Sequence, residues 1–127
     1  MGFLMSKEAQ FLNYIDQRID AFYSAIKELE NDKDGNYNGK YVVIDKALAR
    51  VIDNEKGQFK LVNAVETDNP LLFNEKAAKR IVNKINSDQY FEFKVKSVAL
   101  NVYFVNMLAF LHEMKTNSDS NVPGITK

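Results

Sequence analysis

The spacing of the apolar residues predicts a helix near the start of the chain. Between residues 6 and 31, apolar side chains recur at alternating intervals of three and four, the spacing of one face of an α-helix. The residues of this seam are Leu12, Ile15, Ile19, Phe22, Ile26 and Leu29. Ser6 is suited to cap the helix, because its hydroxyl can accept a backbone N–H. We therefore expect a long N-terminal helix with one packing face.

A second apolar segment lies near the other end of the chain. Residues 98–111 are apolar apart from Asn101 and Asn106, so the segment belongs in a core or in an interface between chains. It is shorter than the roughly 20 residues that cross a bilayer, and it is longer than most strands. We expect a buried helix that begins near Ser97 and ends at His112, although a strand that continues as far as Val105 is an alternative.

Strand signals fill the middle of the chain. Residues 47–52 fit either a strand or a helical turn, and residues 54–57 predict a hairpin loop, a type I turn closed by glycine. The strand at 90–96 alternates apolar and polar residues, so it should be half buried and antiparallel to the hairpin. Asn74 is suited to cap a helix over residues 75–85. The expected strands span residues 41–44, 58–62 and 90–96.

These elements follow the order α-β-β-β-α-β-α, which predicts the α+β class. We expect one domain over residues 1–115, with a small, mainly antiparallel sheet and helices on one of its faces. A chain of 127 residues is large enough for such a core. From residue 116 onward the sequence has no apolar period, and we expect a disordered tail over 116–127.

Composition narrows the classes of function. The 17 basic and 17 acidic residues cancel, so no global field attracts nucleic acid or a membrane surface. The chain has no cysteine, which excludes disulfides, thiol catalysis and cysteine-ligated zinc and is compatible with a reducing compartment. The opening residues lack the basic region of a secretory signal, and Met1 and Met5 are both candidates for the start.

One loop fits the spacing of a calcium site. Asp34, Asn36, Asn38 and Gly39 follow the first half of a calcium-binding loop, and Asp45 falls at its twelfth position. Two neighbouring lysines and the short Asp in place of the usual bidentate Glu count against calcium. A loop between a helix and a strand needs no metal, and we expect no cofactor.

No catalytic pattern emerges from the sequence. His112 is the single histidine, and its place at the expected end of a helix favours an interaction with the helix dipole. No nucleophile has a partner nearby, and the five glycines are too scattered for a phosphate-binding loop. We therefore predict a protein that is not an enzyme, and an enzyme or small-ligand sensor is the third reading.

Two surfaces are candidates for contact with partners. The expected helix at 75–85 carries a basic face that could bind nucleic acid or a protein, although nearby acidic residues dilute it. Its residues, with two from the following segment, are Lys76, Lys79, Arg80, Lys84, Lys94 and Lys96. The first helix and the apolar segment predict a homodimer or larger oligomer, because a thin sheet cannot bury both. Its candidate interface residues are Leu12, Ile15, Ile19, Phe22, Ile26 and Asn106.

Residues 71–82, LLFNEKAAKRIV, follow the strand-like runs YVVID and GQFKLVN. This segment contains a phenylalanine, a helix-capping residue and then an acidic residue followed by alanines, namely Phe73, Asn74, Glu75, Ala77 and Ala78. With this arrangement, residues 40–86 resemble small uncharacterised proteins of Gram-positive phages and mobile elements. The chain departs from their pattern at Asn69-Pro70 and at Lys76. The resemblance implies a protein without a catalytic site that binds a host or viral component. Our first reading is therefore a non-enzymatic interaction protein of the host cytoplasm, and inhibition of a host defence system is one form of it. The alternative is a nucleic-acid-binding accessory protein.

Overall fold

Three helices and a four-stranded antiparallel sheet make up the fold. The computed structural model describes residues 6–45 and 50–120, and side chains up to residue 117. The predicted α+β class and element order are confirmed. The helices are α1 (Lys7–Glu30), α2 (Glu75–Ser87) and α3 (Leu100–Ser120). The strands are β1 (Tyr41–Asp45), β2 (Arg50–Glu55), β3 (Gln58–Asn63) and β4 (Val95–Ala99), and a short 3-10 helix spans Ala64–Glu66.

The sheet has the strand order β3-β2-β1-β4, and every neighbouring pair is antiparallel. The strand that we predicted at 90–96 begins only at Val95 and pairs with β1 instead of with the hairpin. It continues to Ala99 because Ser97 and Val98 pair with Val43 and Val42. Consequently α3 begins at Leu100, three residues later than the sequence suggests.

Helices cover both faces of the sheet, so the prediction that they share one face is wrong. Val42 and Ile44 belong to the core formed with α1 and α3, whereas Val43 packs with α2 on the other side. The sequence of β1 explains this arrangement, because a strand buried on both faces reads as a continuous apolar run. We refer below to the α1/α3 face and the α2 face.

The apolar seam of helix α1 packs against α3 and the sheet of the same chain. The Ser6 hydroxyl accepts the backbone N–H of Ala9 at 3.1 Å, which confirms the predicted cap. The Phe22 side chain is fully buried, and its ring makes edge contacts with Tyr103 and Phe104 of α3 at centroid distances of 6.1 Å. The two helices run in opposite directions, since Asp16 of α1 pairs with Lys115 at 2.7 Å, whereas Phe22, farther along α1, contacts Tyr103 near the start of α3.

Helix α3 is buried along one face only. Its inner face consists of Leu100, Tyr103, Phe104, Met107, Leu108 and Leu111. Val102, Val105 and Phe110 on the outer side are 42%, 59% and 40% exposed. The helix passes His112, where we expected its end, and runs to Ser120. Residues 116–120 are therefore helical and not part of a disordered tail, while residues 121–127 lie outside the described part of the chain.

The hairpin loop between β2 and β3 is tighter than predicted. Strand β2 ends at Glu55 and β3 begins at Gln58, which leaves a two-residue loop. Lys56 and Gly57 both have positive φ, 53° and 81°, as in the type I′ turns that match the twist of a hairpin. The predicted type I turn with a glycine bulge is therefore wrong. None of the helices in residues 6–45 and 50–120 has the length and apolar character to cross a membrane.

Candidate functional site

An apolar depression opens on the α2 face of the sheet, between α2 and the β2–β3 hairpin. Its volume is about 250 Å³. We call it the hairpin groove. It is lined by Ile52, Phe59, Lys60, Leu61, Ile81, Lys84, Ile85, Phe91 and Phe93.

Strand register and helix periodicity bring these side chains together. Leu61 lies opposite Ile52 and Phe59 lies opposite Asn54, so both β3 side chains point to the α2 face. Ile81 and Ile85 are four residues apart and share one side of α2. Helix α2 packs mainly on β1 and β4. A helix about 10 Å across covers only about two strands spaced 4.8 Å apart, so the apolar side of the hairpin stays open.

Aromatic rings form the outer part of the groove. Phe59 packs edge-on against Phe73 with ring centroids 5.8 Å apart, yet 57% of its surface is exposed. Phe91 and Phe93 stack at a tilt with centroids 5.3 Å apart, and Phe91 is 41% exposed. Clustered apolar side chains left in solvent, with polar residues at the rim, are typical of sites that bind other molecules.

The two outer edges of the sheet differ. At the β4 edge, the Asn86 side chain donates to the carbonyl of Val95 and accepts its backbone N–H, both at 2.8 Å. This amide occupies the place that a neighbouring strand would take. Strand β3 is the other edge, and within the described residues it has a strand neighbour on one side only. The groove therefore lies beside a sheet edge that can accept another strand.

Lys84 of α2 places a charged side chain at the rim of the groove. Lys60 also lines the groove, but it alternates with Phe59 and Leu61 along β3. Its side chain therefore extends toward the α1/α3 face, where the ammonium lies 3.4 Å from Glu55. A positive charge beside an apolar surface favours a ligand that combines apolar groups with a carboxylate.

The structure separates the basic residues singled out in the sequence. Lys79 pairs with Glu75 at 3.1 Å, and the Lys94 ammonium donates to the carbonyl of Asn86 at 2.8 Å, at the end of α2. Lys96 lies opposite Ile44 and so belongs to the α1/α3 face. The remaining basic residues are exposed on α2, namely Lys76, Arg80 and Lys84. The predicted continuous basic surface is therefore limited to one side of one helix.

Most of the predicted oligomer interface is occupied within the chain. Ile15, Ile19 and Phe22 are buried in the core, so the proposal that they meet another subunit is wrong. Leu12 and Ile26 are partly buried on the same helix. The physical reason is that α3 and the sheet cover the seam of α1. The candidates include one exposed residue, Asn106 on the outer side of α3.

The loop predicted as a calcium site is organised by its own side chains. Asp32 accepts the backbone N–H groups of Asn36, Tyr37 and Asn38, each at 2.8 Å. Desolvation raises the pKa of Asp32, but these hydrogen bonds outweigh it and hold the pKa below its ordinary value. Asp45, the expected twelfth ligand, is instead the last residue of β1 and lies outside this loop. No cluster of three carboxylate, histidine or cysteine residues occurs in the described ranges.

The Asp45 carboxylate is bound to a cation within the fold. Its oxygen accepts from both Nη2 and Nε of Arg50, at 2.7 and 3.1 Å. The Asp45 side chain is almost fully buried, and the guanidinium also lies 5.7 Å from the ring centroid of Phe93. Because β1 continues through Asp45, this residue cannot reach a metal in the preceding loop.

A polar network fixes the segment after β3 against α1 and α3. Arg18 donates to the carbonyl of Val65 at 2.8 Å and to the carboxylate of Asp68 at 2.6 Å. The Tyr103 hydroxyl lies 2.6 Å from the carbonyl of Thr67 and 3.1 Å from that of Ala64. Burial, with a smaller contribution from Asp68, raises the pKa of Tyr103. These hydrogen bonds hold residues 64–68 in place. The segment that follows leads to Phe73, whose ring contacts Phe59.

A cavity of about 270 Å³ lies between α1 and the segment 68–72. Its carboxylates come from Glu28 and Asp68, and the latter is engaged by Arg18. Ser24 is the hydroxyl on its α1 side, with no histidine or lysine among the lining residues. No hydrogen bond between Ser24 and either carboxylate is seen, and the hairpin groove has the larger exposed apolar surface, so we place the candidate site at the hairpin groove.

The sequence shows which of these residues share a side, because Phe59 alternates with Leu61 and Phe91 with Phe93. It does not show that this side stays exposed. The available signal was the position of Phe59 next to the hairpin tip, where few neighbours can cover a side chain. No protein-family model, curated protein or solved structure matches the chain. The function is therefore inferred from the geometry of the groove.

Proposed function

We propose that the protein is a non-enzymatic interaction protein that binds an extended segment of a partner protein in the hairpin groove. The observation that carries the proposal is the exposed aromatic surface of Phe59 and Phe91 beside the outer edge of β3, which no other strand of the described residues covers. An extended segment added to a sheet edge forms main-chain hydrogen bonds, and pockets for alternate side chains provide specificity. Here the strand would pair with β3, and every second side chain would enter the groove.

The chemistry of the groove defines the segment that it prefers. The apolar lining favours Leu, Ile, Val or aromatic side chains at alternate positions, because successive residues of a strand point to opposite sides. Lys84 at the rim favours Asp or Glu near those positions. We propose that the partner is a host or viral protein carrying such a segment, and inhibition of a host defence component is one form of this activity.

The charge distribution favours protein over nucleic acid as the partner. Binding of a phosphate backbone requires several cations on one surface. Lys79 and Lys94 are engaged within the chain, and Lys96 belongs to the opposite face of the sheet. Nucleic-acid binding through α2 is the second candidate function, supported by the exposed Lys76, Arg80 and Lys84.

The test is selection of ligands from a displayed library of random peptides on the wild-type protein. A Phe59→Glu variant serves for counter-selection, because it places a carboxylate in the groove. We expect enriched peptides with apolar residues at alternate positions and at least one Asp or Glu. Their binding should be lost in Phe59→Glu and retained in Val105→Glu, which changes an exposed valine on α3 at the far side of the sheet.

Two results would contradict the proposal. One is enrichment of peptides that bind wild type and Phe59→Glu equally, because the groove would then not be the site. The other is the absence of any enriched peptide together with a salt-sensitive shift of labelled DNA or RNA that Arg80→Glu removes. That second result would assign the function to nucleic-acid binding through α2.

A further inference from the structure

Phe93 forms the end of the hairpin groove that lies away from the β2–β3 turn. Arg50 and Ile52 share the α2 face of β2, and Arg50 lies opposite Asn63 at the end of β3. The guanidinium carbon of Arg50 lies over the Phe93 ring, 5.7 Å from its centroid. Phe59 is the second residue of β3 and lies next to the turn. The groove therefore runs between two aromatic rings, those of Phe59 and Phe93.

The sheet does not fix the position of Phe93. Strand β4 pairs with β1 only from Val95 onward, so Phe93 belongs to the irregular segment 88–94 between α2 and β4. The bond between the Val95 N–H and the Asn86 side chain, at 2.8 Å, follows two residues later. The Phe93 ring itself contacts the Phe91 ring, at 5.3 Å between centroids, and the Arg50 guanidinium. Its orientation therefore depends on side-chain contacts.

Arg50 is itself held by a buried carboxylate. Its Nη2 and Nε donate to the same oxygen of Asp45, at 2.7 and 3.1 Å, and the Asp45 side chain is 1% exposed. Two donors of one planar group fix the plane of the guanidinium, which can then stack on an aromatic face as a lysine ammonium cannot. Phe93 lines the groove, whereas Arg50 lies outside it. The fold therefore places a fixed planar cation behind the ring.

We propose that Arg50 is a positioning residue that holds Phe93 as the end wall of the hairpin groove, and that the groove accepts two apolar side chains, two residues apart, of the bound segment. The inference rests on the proposed function and specifies its ligand. Positions 59 to 63 of β3 span about 13 Å, and side chains on one face of a strand are about 7 Å apart. The space between the end rings therefore accommodates about two side chains, one against Phe59 and one against Phe93.

A positioned ring lowers the cost of binding. A ligand that had to order a freely rotating Phe93 would bind about 2- to 12-fold more weakly, because ordering a side chain at an interface opposes association. Arg50→Lys retains a positive charge beside Asp45 but removes the planar group over the ring. We therefore expect Arg50→Lys to weaken the binding of a groove-selected peptide by about 2- to 12-fold.

A double-mutant cycle shows whether Arg50 acts through Phe93. The probe is one peptide that is enriched on wild type and lost in Phe59→Glu. Its Kd is measured by isothermal titration calorimetry for wild type, Arg50→Lys, Phe93→Leu and the double variant. Without the ring, the exchange at Arg50 has nothing to act on, so the double variant should match Phe93→Leu within about two-fold. Direct contact of Arg50 with the peptide would instead make the two losses multiply.

Arg18→Lys is the matched control for the exchange. Arg18 also donates to a carboxylate, that of Asp68 at 2.6 Å, and its guanidinium carbon lies over the Phe22 ring, 5.7 Å from the centroid. This arrangement lies on the α1/α3 face, so the control shows what the replacement of a stacked arginine does to the fold in general. We expect Arg18→Lys to bind the peptide as wild type does, within about two-fold. Thermal melting shows whether each variant is folded at the assay temperature.

A second measurement needs no change at Arg50. A ring that lies over the guanidinium shifts the NMR resonance of the Arg50 Nε–H, and Phe93→Leu should remove this shift in the absence of peptide. This result decides on the contact even where Arg50→Lys does not fold.

Failure of the inference differs from failure of the proposed function. If no peptide is enriched on wild type, or if the enriched peptides bind Phe59→Glu equally, the proposed function fails and the inference fails with it. The inference alone is overturned when a Phe59-dependent peptide binds Arg50→Lys as tightly as wild type, when Arg18→Lys causes the same loss, or when the losses multiply in the double variant. An Nε–H resonance that Phe93→Leu leaves unchanged overturns it too, as do selected peptides without two apolar residues spaced two apart.

Discussion

Replacement of Phe59 by alanine should weaken the binding of a groove-selected peptide by about 10- to 100-fold. An aromatic side chain buries roughly 200 Å² when fully covered. Since 57% of Phe59 is exposed, about 115 Å² of this area remains for a ligand to cover. At about 25 cal/mol per Å², complete coverage contributes about 3 kcal/mol, or about 100-fold in Kd. Partial coverage sets the lower end of the range.

The measurement is isothermal titration calorimetry with one selected peptide at a fixed protein concentration. Val105→Ala is the matched control, because Val105 is 59% exposed but lies on α3 at the opposite side of the sheet. We expect its Kd to equal that of wild type within about two-fold. The loss of the Phe59–Phe73 contact should lower stability by about 1 kcal/mol, so thermal melting must show that Phe59→Ala is folded at the assay temperature.

A Kd for Phe59→Ala within about three-fold of wild type would refute the reasoning, since the exposed ring would then contribute almost nothing to binding. An equal loss in Val105→Ala would refute it differently, because the ligand would then not be confined to the hairpin groove.

Three predictions concern the fold itself. Tyr103→Phe removes the hydroxyl that lies 2.6 Å from the Thr67 carbonyl and should cost about 1–3 kcal/mol in urea denaturation, whereas Tyr90→Phe, at a side chain 86% exposed, should change stability by less than about 0.5 kcal/mol. Lys56→Asn should raise the unfolding free energy by about 0.5–1 kcal/mol, because Asn-Gly suits the two positive φ angles of the turn, and a decrease would contradict that assignment. Asp32→Ala should destabilise the protein at pH 7. Because the pKa of Asp32 is lowered on folding, its contribution is present above the unfolded pKa and is lost as the pH falls below about 4, so denaturation at pH 3 should show a smaller difference from wild type than at pH 7.

Local patterns predicted the elements that depend on neighbouring residues. The seam of α1 and the caps at Ser6 and Asn74 follow from helix periodicity and from hydrogen bonds within one turn, and the Asn74 side chain indeed accepts the N–H of Ala77 at 2.8 Å. The predicted strand at 90–96 was wrong over residues 90–94, because a local pattern shows the apolar side of a segment and not whether another strand pairs with it. Its alternation is real, but Phe91 and Phe93 pack into the groove from an irregular segment, because β1 pairs only from Val95 onward.

What the sequence alone determined is therefore the order of the elements and the apolar side of each. Tertiary structure decided which apolar sides are covered. The seam at Ile15 and Phe22 is buried by α3, while the equally apolar Val105 and Phe59 remain exposed, one outside α3 and one beyond the reach of α2. Burial depends on contacts between segments far apart in the chain, and periodicity within one segment carries no information about its neighbours. The proposed binding groove arises at this level, because α2 is too narrow to cover all four strands of the sheet.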